Sequence, residues 1–124
     1  WQALARLKVC YCCPSCSLSP FDLRPFLFSK TWFKYHGAIL SFELRADLDC
    51  FDLLDAMNLV VKATHLGDLR TLALPVAHTI FYEVWPERRA QMGISDHLIR
   101  MSVGIEDTDD LIEDLQQAFD KTLS

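Results

Sequence analysis

The sequence predicts an α/β domain in which three or four short strands are covered by helices. Three observations carry that expectation. Residues 38–44 alternate, with Leu40, Phe42 and Leu44 on one side and Ser41 and Glu43 on the other, the period of a half-buried strand. Residues 98–103 alternate again, setting Leu98, Arg100 and Ser102 opposite Ile99, Met101 and Val103. Leu111, Ile112, Leu115, Ala118 and Phe119 recur at helical spacing, which is the apolar stripe of a helix lying on a sheet.

Taken in order, the opening 1–7 reads as helix-like, and because it starts at Trp1 without a Met the chain is expected to begin inside a longer one. Residues 9–35 show no sustained period and hold Pro14, Pro20 and Pro25, the last of which would break a helix through Phe21 to Arg24. Orderly patterning starts at Gly37. After the first strand, Asp47 or Asp49 can cap a helix over 50–58 with Asn58 as its stop. The β-branched run 59–64 before Gly67 is a second strand, whereas 71–77 is too short and proline-broken to assign. Pro86 suits the first turn of a short helix through Met92 that Gly93 ends. The alternating strand follows, and Asp107 caps the last helix, with Asp109 and Asp110 complementing its positive end. Strand order does not follow from pattern. The division expected is an irregular, Cys- and aromatic-rich segment over 1–36 and one folded unit over 37–124.

Composition removes several classes of function. With 124 residues, 51% hydrophobic and 23% charged, the chain suits one globular domain. Its apolar runs are cut by Arg24, Lys30, Asp47, Lys62 and Asp68, well short of the roughly 18 to 20 residues of a membrane span. A formal charge of −5 with scattered basic residues argues against a nucleic-acid partner. The opening lacks a secretory pattern, and the expected location is cytoplasmic.

Five cysteines include the cluster Cys10, Cys12, Cys13 and Cys16. A structural zinc site wants two separated ligand pairs, and His36 and Cys50 are not paired at the needed spacing. A thioredoxin-like reading of Cys13-Pro-Ser-Cys16 would need a βαβ setting. No metal site is expected, and a thiol or zinc module ranks behind the readings that follow.

The run Glu87-Arg88-Arg89-Ala90-Gln91-Met92-Gly93-Ile94-Ser95-Asp96-His97-Leu98-Ile99-Arg100-Met101-Ser102-Val103-Gly104-Ile105-Glu106-Asp107 resembles the C-terminal signature of the pyridoxal-phosphate-dependent transsulfuration family, the Cys/Met metabolism enzymes. Its members include cystathionine γ-synthases and γ-lyases, methionine γ-lyases and O-acylhomoserine sulfhydrylases. Residues 37–44 resemble the G-G-x-L-S-F-E strand of that family, 63–67 its A-x-S-L-G segment, and Pro75 with Thr79 its P-x-x-x-T stretch. The resemblance covers about residues 37–121, with a fainter echo in 1–9. It implies the small C-terminal domain of fold-type I pyridoxal-phosphate enzymes, a mostly antiparallel, short-stranded sheet covered by helices.

Arg100 is the leading site residue. An arginine set among Leu98, Ile99, Met101 and Val103 is costly to bury unless an anion meets its planar fork, and a carboxylate does so bidentately. The resemblance implies that it grips the substrate's α-carboxylate; the alternative is a salt bridge to Glu43 or Asp96. His65 stands where the family usually has Ser near that carboxylate, and a histidine there could donate to it or bear on proton transfer. Thr79 is the third substrate-binding candidate, against a hydroxyl that bonds the local backbone.

The cofactor implied is pyridoxal phosphate, at the level of the family. Its Schiff-base lysine sits in an S-x-T-K context, which none of Lys8, Lys30, Lys34, Lys62 or Lys121 matches, and four glycines leave no phosphate cradle. No catalytic residue and no covalent hold on the cofactor are therefore expected here. The chain reads as a fragment or truncated paralogue that supplies the carboxylate site of a carbon-sulfur lyase or γ-replacement enzyme acting on a sulfur amino acid. The alternative is a non-catalytic module that docks on a full-length relative. Self-association and that docking are the protein contacts expected.

Overall fold

The computed structural model describes residues 5–6, 37–65 and 67–123. Five strands form one sheet: β1 (Ala5–Arg6), β2 (Ile39–Leu44), β3 (Val61–Lys62), β4 (Leu72–Pro75) and β5 (Leu98–Ser102), in the order β1-β2-β5-β4-β3. Three pairings are antiparallel and only β3 with β4 is parallel. Three helices accompany them, α1 (Cys50–Ala56), α2 (Pro86–Gln91) and α3 (Thr108–Leu123). The α/β class and the mostly antiparallel sheet are as expected.

Alternation decides the faces. Phe42 and Leu44 of β2 and Ile99 and Met101 of β5 are buried, and with Ala73 of β4 they pack against Leu53 and Leu54 of α1 and Leu111 and Ala118 of α3. Leu40, Leu115 and Phe119 close the edges of this core, with the Phe119 ring tilted against Phe42 at 6.4 Å between centroids. Burying a side chain such as Ile99 contributes about 1.5–3 kcal/mol. The opposite sheet face carries Ser41, Arg100, Ser102, Leu72 and Leu74, and a second cluster of Leu74, Val76, Ala77 and Ile94 lies towards α2.

Several elements differ from the sequence expectation. Ala5–Arg6, in a stretch read as helix-like, is a strand on the edge of β2, where pairing satisfies backbone groups that an open edge would leave to solvent. Helix α1 is capped by Asp49, which accepts from the Phe51 N–H at 2.6 Å; Asp47 pairs with Arg45 instead. The helix stops at Ala56 and not Asn58, because Met57 is extended and the N–H groups of Asn58 and Leu59 turn to the Asp114 carboxylate. That same turn delays the start of the strand expected over 59–64, which spans only Val61–Lys62.

Strand β4 was not assignable from pattern for a physical reason: all four of its residues are buried, so nothing alternates. Pro75 fits at its end because Val76 N–H donates to the Leu98 carbonyl at 3.0 Å, which turns the proline nitrogen to the other side. There β3 pairs only with Leu72 and Ala73, so the missing donor interrupts no ladder. Gly93 ends the turn after α2 with φ +71°, and Asp107 caps α3 by accepting from Asp109 N–H at 2.9 Å. On α3 the inward stripe includes Asp114, while Ile112 faces out.

Candidate functional site

Arg100 lies at the centre of the sheet. On β5 it is the register partner of Ser41 on β2 and of Leu74 on β4, on the face away from α1 and α3. It is half-buried. Among the described residues its guanidinium has no hydrogen-bonded or ion-paired partner. The Asp96 carboxylate, one of the two acids of the alternative salt bridge, is held by Arg89 at 3.0 Å. A half-buried guanidinium that no acid among the described residues neutralises can receive an external anion, and its fork matches a carboxylate.

The other two candidates sit apart from it. His65 is exposed in the loop between β3 and β4, close enough to Asp68 to help hold that carboxyl down, at about 2, behind the dominant hydrogen bonds from Arg70. Thr79 is exposed in the turn after β4, and its hydroxyl donates to the Pro75 carbonyl at 2.7 Å. This is the local backbone bond weighed as its alternative. Among the described residues no hydrogen bond or ion pair joins Arg100, His65 and Thr79.

The turn after β5 holds polar groups to which sequence reasoning assigned no role. Thr71, fully buried, gives its N–H to Glu106 Oε1 at 2.6 Å and its hydroxyl to Oε2 at 2.8 Å, and the same hydroxyl accepts from Gly104 N–H at 2.8 Å. The Thr71 N–H is the main cause that holds the Glu106 carboxyl below its usual range. A Cβ at Gly104 would collide with the backbone of Leu69 and Arg70 and with the Glu106 carboxylate. Two positions of the signature, Gly104 and Glu106, therefore fasten the end of β5 to the start of β4. Their signal was present as a glycine and an acid two residues apart beyond an alternating strand, but nothing in the spacing pointed to Thr71.

Asp114 was also missed. It is buried and accepts from the N–H groups of Asn58 at 2.8 Å and Leu59 at 2.9 Å and from Gln117 Nε2 at 3.0 Å. Burial pushes its carboxyl up, and these hydrogen bonds outweigh that and hold it below its usual range. Its sequence signal was an acid three residues after Leu111 on an otherwise apolar stripe.

The cysteine cluster and His36, weighed for zinc, lie outside the described residues, as do Lys8, Lys30 and Lys34. Cys50 is buried; burial above all, then the charges of Asp49 and Asp96, pushes its thiol up to about 11. Among the described residues no group of three or more His, Cys, Asp or Glu is arranged to hold a metal. The described residues do not fit a covalent hold on pyridoxal phosphate either: Lys62 is exposed and paired with Asp55, and Lys121 is exposed in the last turn of α3.

With this geometry in hand, comparison with known proteins is specific. The family described as Cys/Met metabolism PLP-dependent enzyme matches residues 23–120. The chain is 40% identical over 88 residues to sulfhydrylase-like protein lolC1 of Epichloe uncinata, covering 70% of this chain and 19% of that protein. It is 41% identical over 83 residues to an L-methionine gamma-lyase of Pseudomonas putida, covering 66% and 21%. The solved cystathionine gamma-lyase of Lactobacillus plantarum superposes with a TM-score of 0.75 at 32% identity, over 83% of this chain and 27% of that one. The cystathionine gamma synthase of Xanthomonas oryzae pv. oryzae gives 0.71 at 29% identity, over 89% and 28%. The chain thus spans about a fifth of the length of the curated relatives it matches. A match that runs through the strands and helices carrying Arg100, Gly104 and Glu106 leads to one conclusion: the chain belongs to the Cys/Met metabolism family of PLP-dependent enzymes.

Proposed function

We propose that residues 37–124 act as the unit that holds the α-carboxylate of a sulfur amino acid in a carbon-sulfur lyase or γ-replacement enzyme of this family, with Arg100 as the carboxylate-binding group. The half-buried guanidinium that no described acid neutralises carries this reading. In such an enzyme the cofactor serves as the electron sink for chemistry at the substrate's α-carbon. The work of this chain's own residues is to bind and orient. Arg100 fixes the carboxylate end of the substrate, which sets where the α-carbon and the departing sulfur group stand relative to the reacting centre. His65 and Thr79 are proposed as flanking contacts to the rest of the substrate, Thr79 after exchanging its bond to Pro75. Because no lysine has the family's setting, the covalent hold on the cofactor is assigned to another polypeptide segment, and the expected site of action is the cytoplasm. Among the described residues no helix is long and apolar enough to cross a membrane.

A second reading has its own observation. Tyr82 and Trp85, in the segment between β4 and α2, are 74% and 78% exposed, which suits a module that docks on a full-length relative.

The test is to fuse the chain to the cofactor-bearing portion of a relative and measure kcat/KM. Arg100→Lys should lower it by a factor equivalent to roughly 2–4 kcal/mol of transition-state stabilisation for every amino-acid substrate, because a point charge does not reproduce the fork. Cofactor absorbance and the melting temperature should stay at the parent's values. A variant that loses stability while its folded fraction keeps full efficiency would show Arg100 to be structural and sink the reading.

A further inference from the structure

Arg100 is not the sole polar residue on its sheet face. Ser41 is its direct register partner across β2, and Ser102 stands two residues further along β5, opposite Ile39 on β2 and Leu72 on β4. All three are half-buried. Among the described residues neither serine hydroxyl has a side-chain hydrogen bond. The β4 side of this triangle is apolar, since Leu72 and Leu74 are buried there. Strand geometry brings directly opposed Cβ atoms within about 4.5–5.5 Å and diagonal ones within about 7–8 Å, distances that a folded-over arginine side chain spans.

The bookkeeping of a carboxylate makes this arrangement informative. Two oxygens offer about four acceptor positions, and a bidentate arginine fills two of them. A bound carboxylate partly withdrawn from water then lacks two donors, and an unfilled acceptor in such a place is costly. Two unclaimed hydroxyls beside one unclaimed guanidinium are the matching set. We infer that Ser41 and Ser102 complete the anion site of Arg100, each donating its hydroxyl hydrogen to the carboxylate that the guanidinium holds, while Leu72 and Leu74 form a wall that admits no second charge. This assignment rests on the reading of Arg100 above and extends it: the ligand class is a monocarboxylate, and an analogue bearing a second anionic group beside the first would meet the leucine wall. The serines are positioning residues, since they do not touch the reacting bonds.

The experiment uses the whole chain with L-methionine as the probe, followed by backbone amide shifts and calorimetry, and L-methionine methyl ester as the carboxylate-free control. The parent chain should bind the amino acid saturably in the millimolar range and not the ester. Ser41→Ala and Ser102→Ala should each raise Kd about three- to tenfold, the double variant should raise it further, and Ser41→Thr, which keeps the hydroxyl, should stay near the parent. Melting temperatures should remain close to the parent's, which separates a lost donor from a damaged fold. Loss of binding in Arg100→Ala with an unchanged Kd in the double serine variant would overturn the serine assignment and leave Arg100 in place. Equal binding of the ester, or no saturable binding by the parent, would overturn both.

Discussion

Asp114 interrupts the apolar stripe of α3, and its surroundings explain why an acid is tolerated there. The carboxylate ends the helix before it: the N–H groups of Asn58 and Leu59, which no helical carbonyl accepts, both donate to it. Removing the acceptor strands two donors in a partly buried turn, so Asp114→Ala should destabilise the fold by roughly 3 kcal/mol, measured by chemical denaturation. Asp114→Asn keeps one acceptor oxygen and should cost less; equal stability of Asp114→Ala and the parent would show that the turn is held by other means. Cys50 illustrates the opposite use of burial. Its thiol donates to the Asp96 carbonyl at 3.4 Å and is raised to about 11, so the nucleophilic thiolate is scarce at neutral pH. Alkylation at pH 7.5 mapped by mass spectrometry should leave Cys50 unmodified in the folded chain and modify it in denaturant. Comparable labelling rates in both states would contradict its burial.

At the scale of elements, the link between β5 and α3 does the joining. Gly104 passes against the backbone of Leu69 and Arg70, and Ile105 N–H donates to the Leu69 carbonyl at 3.0 Å. A methyl group at Gly104 has only backbone and the Glu106 carboxylate to displace. Gly104→Ala should therefore cost roughly 1–3 kcal/mol in stability and loosen the loop carrying His65, read as faster amide exchange at Ile105; unchanged exchange would refute the fastening role. What was legible in the sequence follows the same physics. Strands β2 and β5 and the stripe of α3 were readable because each has one wet face, and Arg100 stood out because it is charged on an apolar strand. Strand β4 was hidden because both its faces are dry. The end of α1 was hidden because its terminator, Asp114, lies 56 residues away in sequence from the N–H it accepts. Thr71 and Glu106, 35 residues apart, were equally invisible to local pattern, though the family resemblance had already marked the Glu106 position.

For the whole molecule, two carboxylates tie the final third of the chain to its middle: Glu106 holds Thr71 at the start of β4, and Asp114 holds the turn between α1 and β3. Both are held below their usual range, Glu106 chiefly by the Thr71 N–H, and Asp114 by backbone donors that outweigh its burial. A carboxyl whose folded pKa is depressed binds fewer protons folded than unfolded, so it contributes stability that is present above the unfolded value and is lost as pH falls through the folded one. With unfolded values of about 3.9 for Asp and 4.3 for Glu, the contribution should be intact at pH 6 and decline below the ordinary carboxylate range. Cys50 acts on the other side. Its raised pKa contributes stability that is present below the unfolded thiol value of about 8.5 and is lost as pH rises towards about 11. Denaturation free energies measured from pH 3 to 10.5 should therefore form a plateau with two shoulders that separate by mutation. The pair Glu106→Gln with Asp114→Asn should lower the plateau and flatten the acid shoulder while leaving the alkaline one. Cys50→Ala should flatten part of the alkaline shoulder and leave the acid one. An acid shoulder that keeps its full slope in the double carboxylate variant would show that it arises from other lowered carboxyls, such as Asp47 and Asp68, and not from these two.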